Sequence, residues 1–132
     1  MEVVFYEKPG CINNTKQKKM LEEKGHVIIP FSIITTKWEK DMLRPFFGQL
    51  PVSQWFNVSA PAIKNGEIEP NNLTEDEALQ AMILDPLLIK RPLINVNGNL
   101  GVGFDCILIE DLLNGEDISH LLKCPNSTTN CD

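Results

Sequence analysis

Short apolar runs closed by turn residues mark both ends of the chain. Residues 3–6 are β-branched and aromatic and are followed by Pro9-Gly10, which predicts a buried strand ending in a turn. Residues 11–24 favour a helix, and Gly25 stands where a helix-terminating glycine is typical. Residues 27–31 predict a second strand. Because one helix joins two buried strands, we expect a β-α-β unit with parallel strands.

The middle of the chain has helical periodicity. Residues 37–46 place three apolar side chains on one face, and residues 53–57 predict a short helical turn. Residues 74–77 form a capping box, Thr-x-x-Glu, that begins a further helix ending at Asp85-Pro86. The predicted apolar face of the first helix consists of Trp38, Met42 and Phe46, and that of the second of Ala78, Leu79, Met82 and Ile83.

The last third of the chain carries a hairpin pattern. Residues 92–96 and 99–104 flank Asn97-Gly98, a dipeptide that strongly favours a two-residue β-turn. Asp105 is predicted to cap a final helix that ends at Leu113.

The element order predicts an α/β protein with a thioredoxin-like fold: β-α-β, a helical insert, then β-β-α, around a small four-stranded mixed sheet. Residues 1–120 are expected to form one domain, with the helical insert at about residues 33–90. Residues 121–132 are rich in Pro, Asn, Ser and Thr, which predicts a disordered tail.

Composition and charge narrow the class of protein. The chain has 132 residues, a formal net charge of −6 and a hydrophobic fraction of 42%. A negative protein repels phosphate and anionic lipid, so nucleic-acid and membrane partners are not expected. Because no apolar stretch is long enough to span a bilayer and the N-terminus does not resemble a signal peptide, we predict a cytoplasmic location. We also expect a monomer. Its four cysteines are accordingly expected to be reduced.

Cys11 is the strongest candidate for chemistry. It follows a strand and a Pro-Gly turn and stands at the start of a helix, where unpaired N–H groups and the helix dipole stabilise a thiolate. The alternative is a buried cysteine that acts as a small hydrophobe. Asn14 occupies the second position of a Cys-x-x-Cys motif, which excludes a thioredoxin-type disulfide within this helix.

Other polar residues are weaker candidates for a functional role. Arg91-Pro92 opens the third strand, and Arg91 has the forked donors that hold an oxyanion or carboxylate. Lys8 would add positive potential near Cys11, whereas Lys16, Lys18 and Lys19 are assigned to a solvated helix face. His26 and His120 lie far apart without a cysteine at ligand spacing, so no metal site is predicted.

The remaining three cysteines leave alternatives open. Cys106 is predicted to be a core residue. Cys124 and Cys131 lie on the tail, where they would pair with each other, bind a metal with outside ligands, resolve a disulfide at Cys11, or remain idle.

Several stretches resemble the arsenate reductase (ArsC) and Spx superfamily of thioredoxin-like proteins. Residues 5–11, Phe-Tyr-Glu-Lys-Pro-Gly-Cys, and residues 89–94, Ile-Lys-Arg-Pro-Leu-Ile, carry the resemblance together with the insert between them. Residues 43–48, 55–61 and 85–89 look like its nitrogenase-associated branch, whose members are encoded beside nitrogenase genes.

The resemblance implies a catalytic set that is incomplete here. Arsenate reductases of this superfamily have a histidine four residues before the cysteine and an arginine four residues after it, where this chain has Glu7 and Thr15. They surround arsenate with three arginines, of which Arg91 matches one. Asn57 and Gly103 fall near the other two.

The first functional hypothesis is a thiol redox protein. Cys11 would attack an oxidised or anionic small substrate, Arg91 would orient the anionic part, and Lys8 would assist the thiolate. Glutathione or glutaredoxin would regenerate the thiol. The residues predicted to bind the substrate are Asn13, Asn14, Asn57 and Pro92. The alternative hypothesis is a non-catalytic thioredoxin-fold binding or regulatory module for nitrogenase, which the incomplete catalytic set favours.

Overall fold

A four-stranded mixed sheet organises the chain. The computed structural model describes residues 1–104 and 106–113. Strands β1 and β2 run parallel, and β3 pairs antiparallel with both β1 and β4, in the order β2-β1-β3-β4. The strands are β1 (Glu2–Glu7), β2 (Val27–Ser32), β3 (Leu93–Val96) and β4 (Asn99–Val102). The α/β class and the four-stranded mixed sheet of the sequence prediction are confirmed.

Five α-helices are found in the part of the chain that the structure describes, and short 3₁₀ turns link several of them. The α-helices are α1 (Ile12–Glu23), α2 (Lys40–Leu43), α3 (Pro61–Lys64), α4 (Glu75–Leu84) and α5 (Ile107–Leu113). The 3₁₀ turns are Arg44–Phe47, Val52–Gln54, Pro70–Asn72 and Pro86–Leu88.

Two apolar clusters cover opposite faces of the sheet. The first joins the insert to the sheet through Trp55, Leu43 and Leu93. The second joins the sheet to α1 and α5 and includes Phe5 and Leu21. Neighbouring positions of β3 alternate between the two clusters because side chains alternate across a strand. The sheet is therefore a central layer between the insert and the two helices.

The hairpin turn and the helix capping box form where the sequence predicts them. Asn97 and Gly98 both have positive φ, 55° and 87°, which is the backbone of a type I′ hairpin turn. The Gly98 N–H also donates to Asn95 Oδ1 at 2.8 Å. At the start of α4, the Glu77 N–H donates to Thr74 Oγ1 and the Thr74 N–H donates to Glu77 Oε1, completing the predicted capping box.

The prediction for residues 37–46 is partly wrong. The helix begins only at Lys40, and Met42 is 38% exposed whereas Leu43 is fully buried. Trp38 lies before the helix, where its Nε1–H donates to the Ile33 carbonyl at 2.9 Å. Trp38 and Phe46 are buried as predicted, whereas Met42 is not, because a one-turn helix followed by a 3₁₀ turn does not maintain the 3.6-residue repeat.

Some predictions fall beyond the described residues. These are the cap at Asp105 and the tail at residues 121–132. The limits of the single domain, residues 1–120, and of its insert stay predictions.

Candidate functional site

Cys11 lies at the junction of β1 and α1. Residues 8–11 form a β-turn, in which the Cys11 N–H donates to the Lys8 carbonyl at 3.1 Å. Pro9 and Gly10 occupy its central positions, and Gly10 has the φ of +83° that a type II turn requires there. Cys11 is the N-cap of α1, and the Asn14 N–H donates to its Sγ at 3.5 Å. The turn thus presents the sulfur to the positive end of the helix.

Polar residues are buried around this sulfur. Among the residues that the structure describes, the buried polar or charged side chains are Glu7, Asn13, Asn14 and Gln17. Asn14 links two of the surrounding segments, because its Oδ1 accepts from the Lys8 N–H at 3.2 Å and its Nδ2 donates to Gln17 Oε1 at 3.0 Å. Cys11 is itself 1% exposed. The polar neighbours distinguish it from a cysteine in an apolar core.

Gln17 is the site residue that the sequence analysis missed. Asn14, Gln17 and Leu21 follow one another at helical spacing and are all buried, so they form one stripe of α1. The stripe is polar near Cys11 and apolar further along. A search for apolar periodicity does not detect a buried stripe whose first turns are amides.

Glu7 and Lys18 form an ion pair beside the site. Lys18 Nζ lies 2.8 Å from Glu7 Oε2, and the two side chains are 24% and 10% exposed. The assignment of Lys18 to a solvated helix face is therefore wrong. The ammonium group offsets the negative charge that Glu7 would otherwise present to a thiolate or an anion.

The strand that carries Arg91 and Pro92 runs beside the Cys11 turn. In the β1–β3 ladder, Tyr6 lies opposite Leu93, the first residue of β3, so the residues that follow Tyr6 and those that precede Leu93 leave the sheet at the same end. The Arg91-Pro92 peptide bond is cis. Arg91 is half-buried, and its Nη1 is fully buried. Lys8, Arg91 and Pro92 therefore lie at the same end of the sheet as Cys11, and their predicted roles stay predictions.

Gly103 and Asn57 have different positions. The Gly103 N–H donates to the Pro92 carbonyl at 2.8 Å, which holds Gly103 beside the site without a side chain to offer. The side chain of Asn57 forms hydrogen bonds within the insert. Its Nδ2–H donates to the Leu87 carbonyl at 3.3 Å, and its Oδ1 accepts from the Ser59 N–H at 3.2 Å. Its predicted contact with substrate stays a prediction, as does that of Asn13.

The expectation that the four cysteines are reduced stays a prediction. Cys106 has a partly buried thiol that takes no part in a disulfide. It borders a separate cavity of about 280 Å³, together with Lys90, Gln54 and Phe46.

No metal site and no membrane span are found within residues 1–104 and 106–113. No group of three or more His, Cys, Asp or Glu side chains converges there to hold a metal ion. None of the described helices has the length and apolar character needed to cross a bilayer. His26 contacts helix α5, where its Nε2 lies 3.0 Å from the Leu112 carbonyl oxygen.

The ionisation of Tyr6, in β1, is perturbed by burial. Its ring packs against Phe31, Trp38 and Phe46, with centroids 5.0–5.7 Å apart. Burial raises the pKa of Tyr6 above its ordinary value of 10.0, because the phenolate is less well solvated there than in the unfolded chain.

We expect this shift to make stability depend on alkaline pH. The contribution of Tyr6 is fully present below pH 10 and is lost as pH rises through the higher folded pKa, since the unfolded chain releases the proton first. Tyr6→Phe is expected to flatten this alkaline limb. Because Tyr6 is the single tyrosine of the chain, its tyrosinate absorbance reports the pKa directly. A titration midpoint at or below 10.0 would contradict the prediction.

Comparisons with known proteins agree with this geometry. A model of the ArsC family matches residues 6–111. An uncharacterized 15.7 kDa protein of the draG 3′ region of Rhodospirillum rubrum is 42% identical over 131 residues, which cover 98% of this chain and 92% of that protein. An arsenate reductase of Neisseria meningitidis serogroup A is 25% identical over 115 residues, covering 85% of this chain and 98% of that protein.

A solved structure matches as well. A Bacteroides fragilis protein described as related to the ArsC family superposes with a TM-score of 0.72 at 27% identity. The match covers 85% of this chain and 99% of that one.

Proposed function

Because this chain belongs to the ArsC family, we propose that it is an arsenate-reductase-like thiol redox protein whose nucleophile is Cys11. Its arsenate-reductase-like relatives support a thiol redox function at the level of the family. The observation that carries the proposal for this chain is the N-cap position of Cys11, with Sγ accepting from the Asn14 N–H inside a polar, buried surrounding.

The reduced site favours a thiolate. The N-terminal amides of α1 and the dipole of its 12 residues stabilise negative charge at the sulfur. Lys8 lies in the turn itself and adds positive charge, while Lys18 neutralises Glu7. The thiolate attacks one sulfur of an oxidised thiol substrate, a new S–S bond forms to Cys11, and the other sulfur leaves with the electron pair as a thiolate.

The proposed substrate is a small anionic molecule or an oxidised thiol. Arg91 lies just before β3, at the same end of the sheet as Cys11, and has the planar donors that bind a carboxylate or an oxyanion in pairs. Pro92, Asn13 and Asn14 are the further residues proposed to bind the substrate, and the Asn14 N–H donates to Cys11 Sγ. Glutathione, with or without glutaredoxin, is the proposed electron donor. Arsenate would be held by one arginine in this site, so we expect weaker arsenate reduction than oxidised-thiol reduction.

Alkylation of reduced Cys11 tests the proposal. In a Cys106→Ser, Cys124→Ser, Cys131→Ser background, Cys11 is the only thiol of the chain. We expect iodoacetamide to react near pH 7 at least about tenfold faster than with a free cysteine peptide, because a lowered pKa raises the thiolate fraction. The rate should reach half its maximum below the ordinary cysteine pKa of about 8.5.

The further Cys11→Ser variant is the control and should take up no label. A rate equal to that of the free peptide, measured on reduced and folded protein, would refute the thiolate and with it the proposed chemistry.

The second candidate function is a binding or regulatory module for nitrogenase, without turnover. The observation that favours it is the incomplete catalytic set at three positions. Glu7 is bound to Lys18, Gly103 has no side chain, and the side chain of Asn57 forms its hydrogen bonds within the insert. Calorimetric binding to purified nitrogenase components that is unchanged in Cys11→Ala, together with no thiol turnover, would favour this module. We propose a cytoplasmic location and a monomer for either function.

A further inference from the structure

The separate cavity of about 280 Å³ lies along the outer edge of β4. This strand is the last in the sheet order, and residues 100–102 all line the cavity. Side chains from both faces of the sheet meet there, since Phe47 belongs to the cluster of the insert and Cys106 packs against the cluster of α1 and α5. We propose that this cavity binds a small monocarboxylate with an aromatic body. The inference goes beyond the proposed function of Cys11 and does not depend on it.

The hydrogen-bonding pattern of the hairpin turns backbone donors toward this cavity. The Gly103 N–H donates to the Pro92 carbonyl at 2.8 Å, and hydrogen-bonded pairs alternate with non-hydrogen-bonded pairs along an antiparallel ladder. Leu100 and Val102 therefore occupy non-hydrogen-bonded positions opposite β3. Their N–H and C=O groups point away from β3, to the outer edge along which the cavity lies. Backbone N–H groups at the wall of a pocket are among the groups that orient a bound ligand.

Lys90 sets the charge of the ligand. It is the charged side chain among the described residues that line the cavity, and Gln54 adds an amide at the exposed rim. The backbone of Lys90 is fixed, because its N–H donates to the Trp55 carbonyl at 3.0 Å. One ammonium group together with a backbone donor fits a single carboxylate. A phosphate or a dicarboxylate would bring a second negative charge that this one cation does not neutralise.

Aromatic side chains and a fixed turn form further walls of the cavity and set the size of the ligand. Phe46 and Phe47 are buried, and Phe47 stacks on Trp55 with ring centroids 4.6 Å apart. Arg44 Nη1 donates to the Gly48 carbonyl at 3.1 Å, which holds the turn at the cavity wall. Since a cavity of about 150 Å³ holds benzene, the volume here has room for a ring on a short carboxylate chain. Walls that are already in place lose little conformational entropy when a ligand binds.

An NMR titration of the isotope-labelled, full-length chain tests the inference. The probe is hydrocinnamate, which carries a phenyl ring on a propionate chain. We expect saturable shifts of the backbone amides of Leu100 and Val102, and no such shifts in α1. Hydrocinnamamide has nearly the same shape without the charge. It should bind at least about tenfold more weakly, because its amide cannot form the charge-assisted hydrogen bond to Lys90.

Two lysine variants separate recognition at the cavity from a general charge effect. Lys90→Met should weaken the binding of hydrocinnamate by at least about tenfold and change that of hydrocinnamamide by less than about threefold. Lys19→Met is the matched control, because Lys19 is an exposed residue of α1, on the opposite face of the sheet from the insert. This variant should bind both probes as the wild-type chain does.

The thiol of Cys106 provides a second measurement, because it borders the cavity. In a Cys11→Ser, Cys124→Ser, Cys131→Ser chain it is the only thiol. Saturating hydrocinnamate should slow its alkylation by N-ethylmaleimide at least about threefold, since a bound ligand covers the walls of its pocket.

Three results would each overturn the inference. The first is the absence of saturable shifts in β4 up to about 10 mM hydrocinnamate. The second is equal affinity of the wild-type chain for the acid and its amide. The third is equal affinity of the Lys90→Met and Lys19→Met variants for hydrocinnamate. None of these results bears on the reactivity of Cys11, so the proposed function is tested separately.

Discussion

Replacing Arg91 with alanine is expected to slow the reaction of reduced Cys11 with glutathione disulfide by about ten- to a hundredfold. A hydrogen bond to a charged group contributes about 1.5–3 kcal/mol, and about 1.4 kcal/mol changes a rate constant tenfold. The proposed role fits the position of Arg91 just before β3, at the same end of the sheet as Cys11, with a buried Nη1 that limits the orientations of its guanidinium.

A neutral disulfide separates the charge effect from damage to the site. The second-order rate constant for 2-hydroxyethyl disulfide should change by less than about threefold in Arg91→Ala, because that substrate has no anion to bind. Lys90→Ala is the matched control, since it removes the same charge one residue earlier, at the separate cavity. Equal slowing with both disulfides would show that Arg91 supports the structure of the site and does not bind the anion.

Trp55→Ala is expected to lower the free energy of unfolding by about 3–5 kcal/mol, as is usual when a buried tryptophan is truncated. Trp55 is fully buried in the insert, and its ring stacks on Phe47 with centroids 4.6 Å apart and planes 7° from parallel. Its Nε1–H donates to the Leu50 carbonyl at 2.9 Å, and the Arg44 guanidinium lies 4.8 Å from the ring centroid. The substitution removes all three interactions and leaves a cavity.

Urea unfolding of the reduced proteins, followed by far-ultraviolet circular dichroism, measures this loss. Trp55→Phe keeps most of the apolar area but leaves the Leu50 carbonyl without its donor, so we expect a loss of about 1–3 kcal/mol. Val58→Ala is the control, because Val58 is 67% exposed and should change the stability by less than about 0.5 kcal/mol. A Trp55→Ala loss below about 1 kcal/mol would show that the insert is not part of the cooperative core.

Local chemistry explains the parts of the fold that the sequence predicts correctly. The Pro9-Gly10 turn, the Asn97-Gly98 hairpin and the capping box from Thr74 to Glu77 all form as predicted. Each depends on side chains and backbone angles within about four residues, so the information is contained in the segment itself. The position of Cys11 at the start of a helix follows from the same local signals.

Residue 42 shows where local patterns are insufficient. Periodicity favours Met42 as a core residue, yet Leu43 is buried instead, because the helix is only four residues long and its orientation is set by contacts with the rest of the insert. Isolated short helices have little preferred orientation of their own, so packing decides which face is buried.

By itself, the sequence determined the order of the elements, the turns, the capping box of α4 and the position of Cys11 at the start of a helix. Only the tertiary structure decided the surroundings of that cysteine: Glu7 forms an ion pair with Lys18 on the adjoining helix, and the pairing of β1 with β3 brings Arg91 to the same end of the sheet as Cys11. Such pairings depend on strand register and on the approach of distant segments, which no local pattern encodes. The sequence alone thus locates the thiol, whereas the fold sets the charges around it.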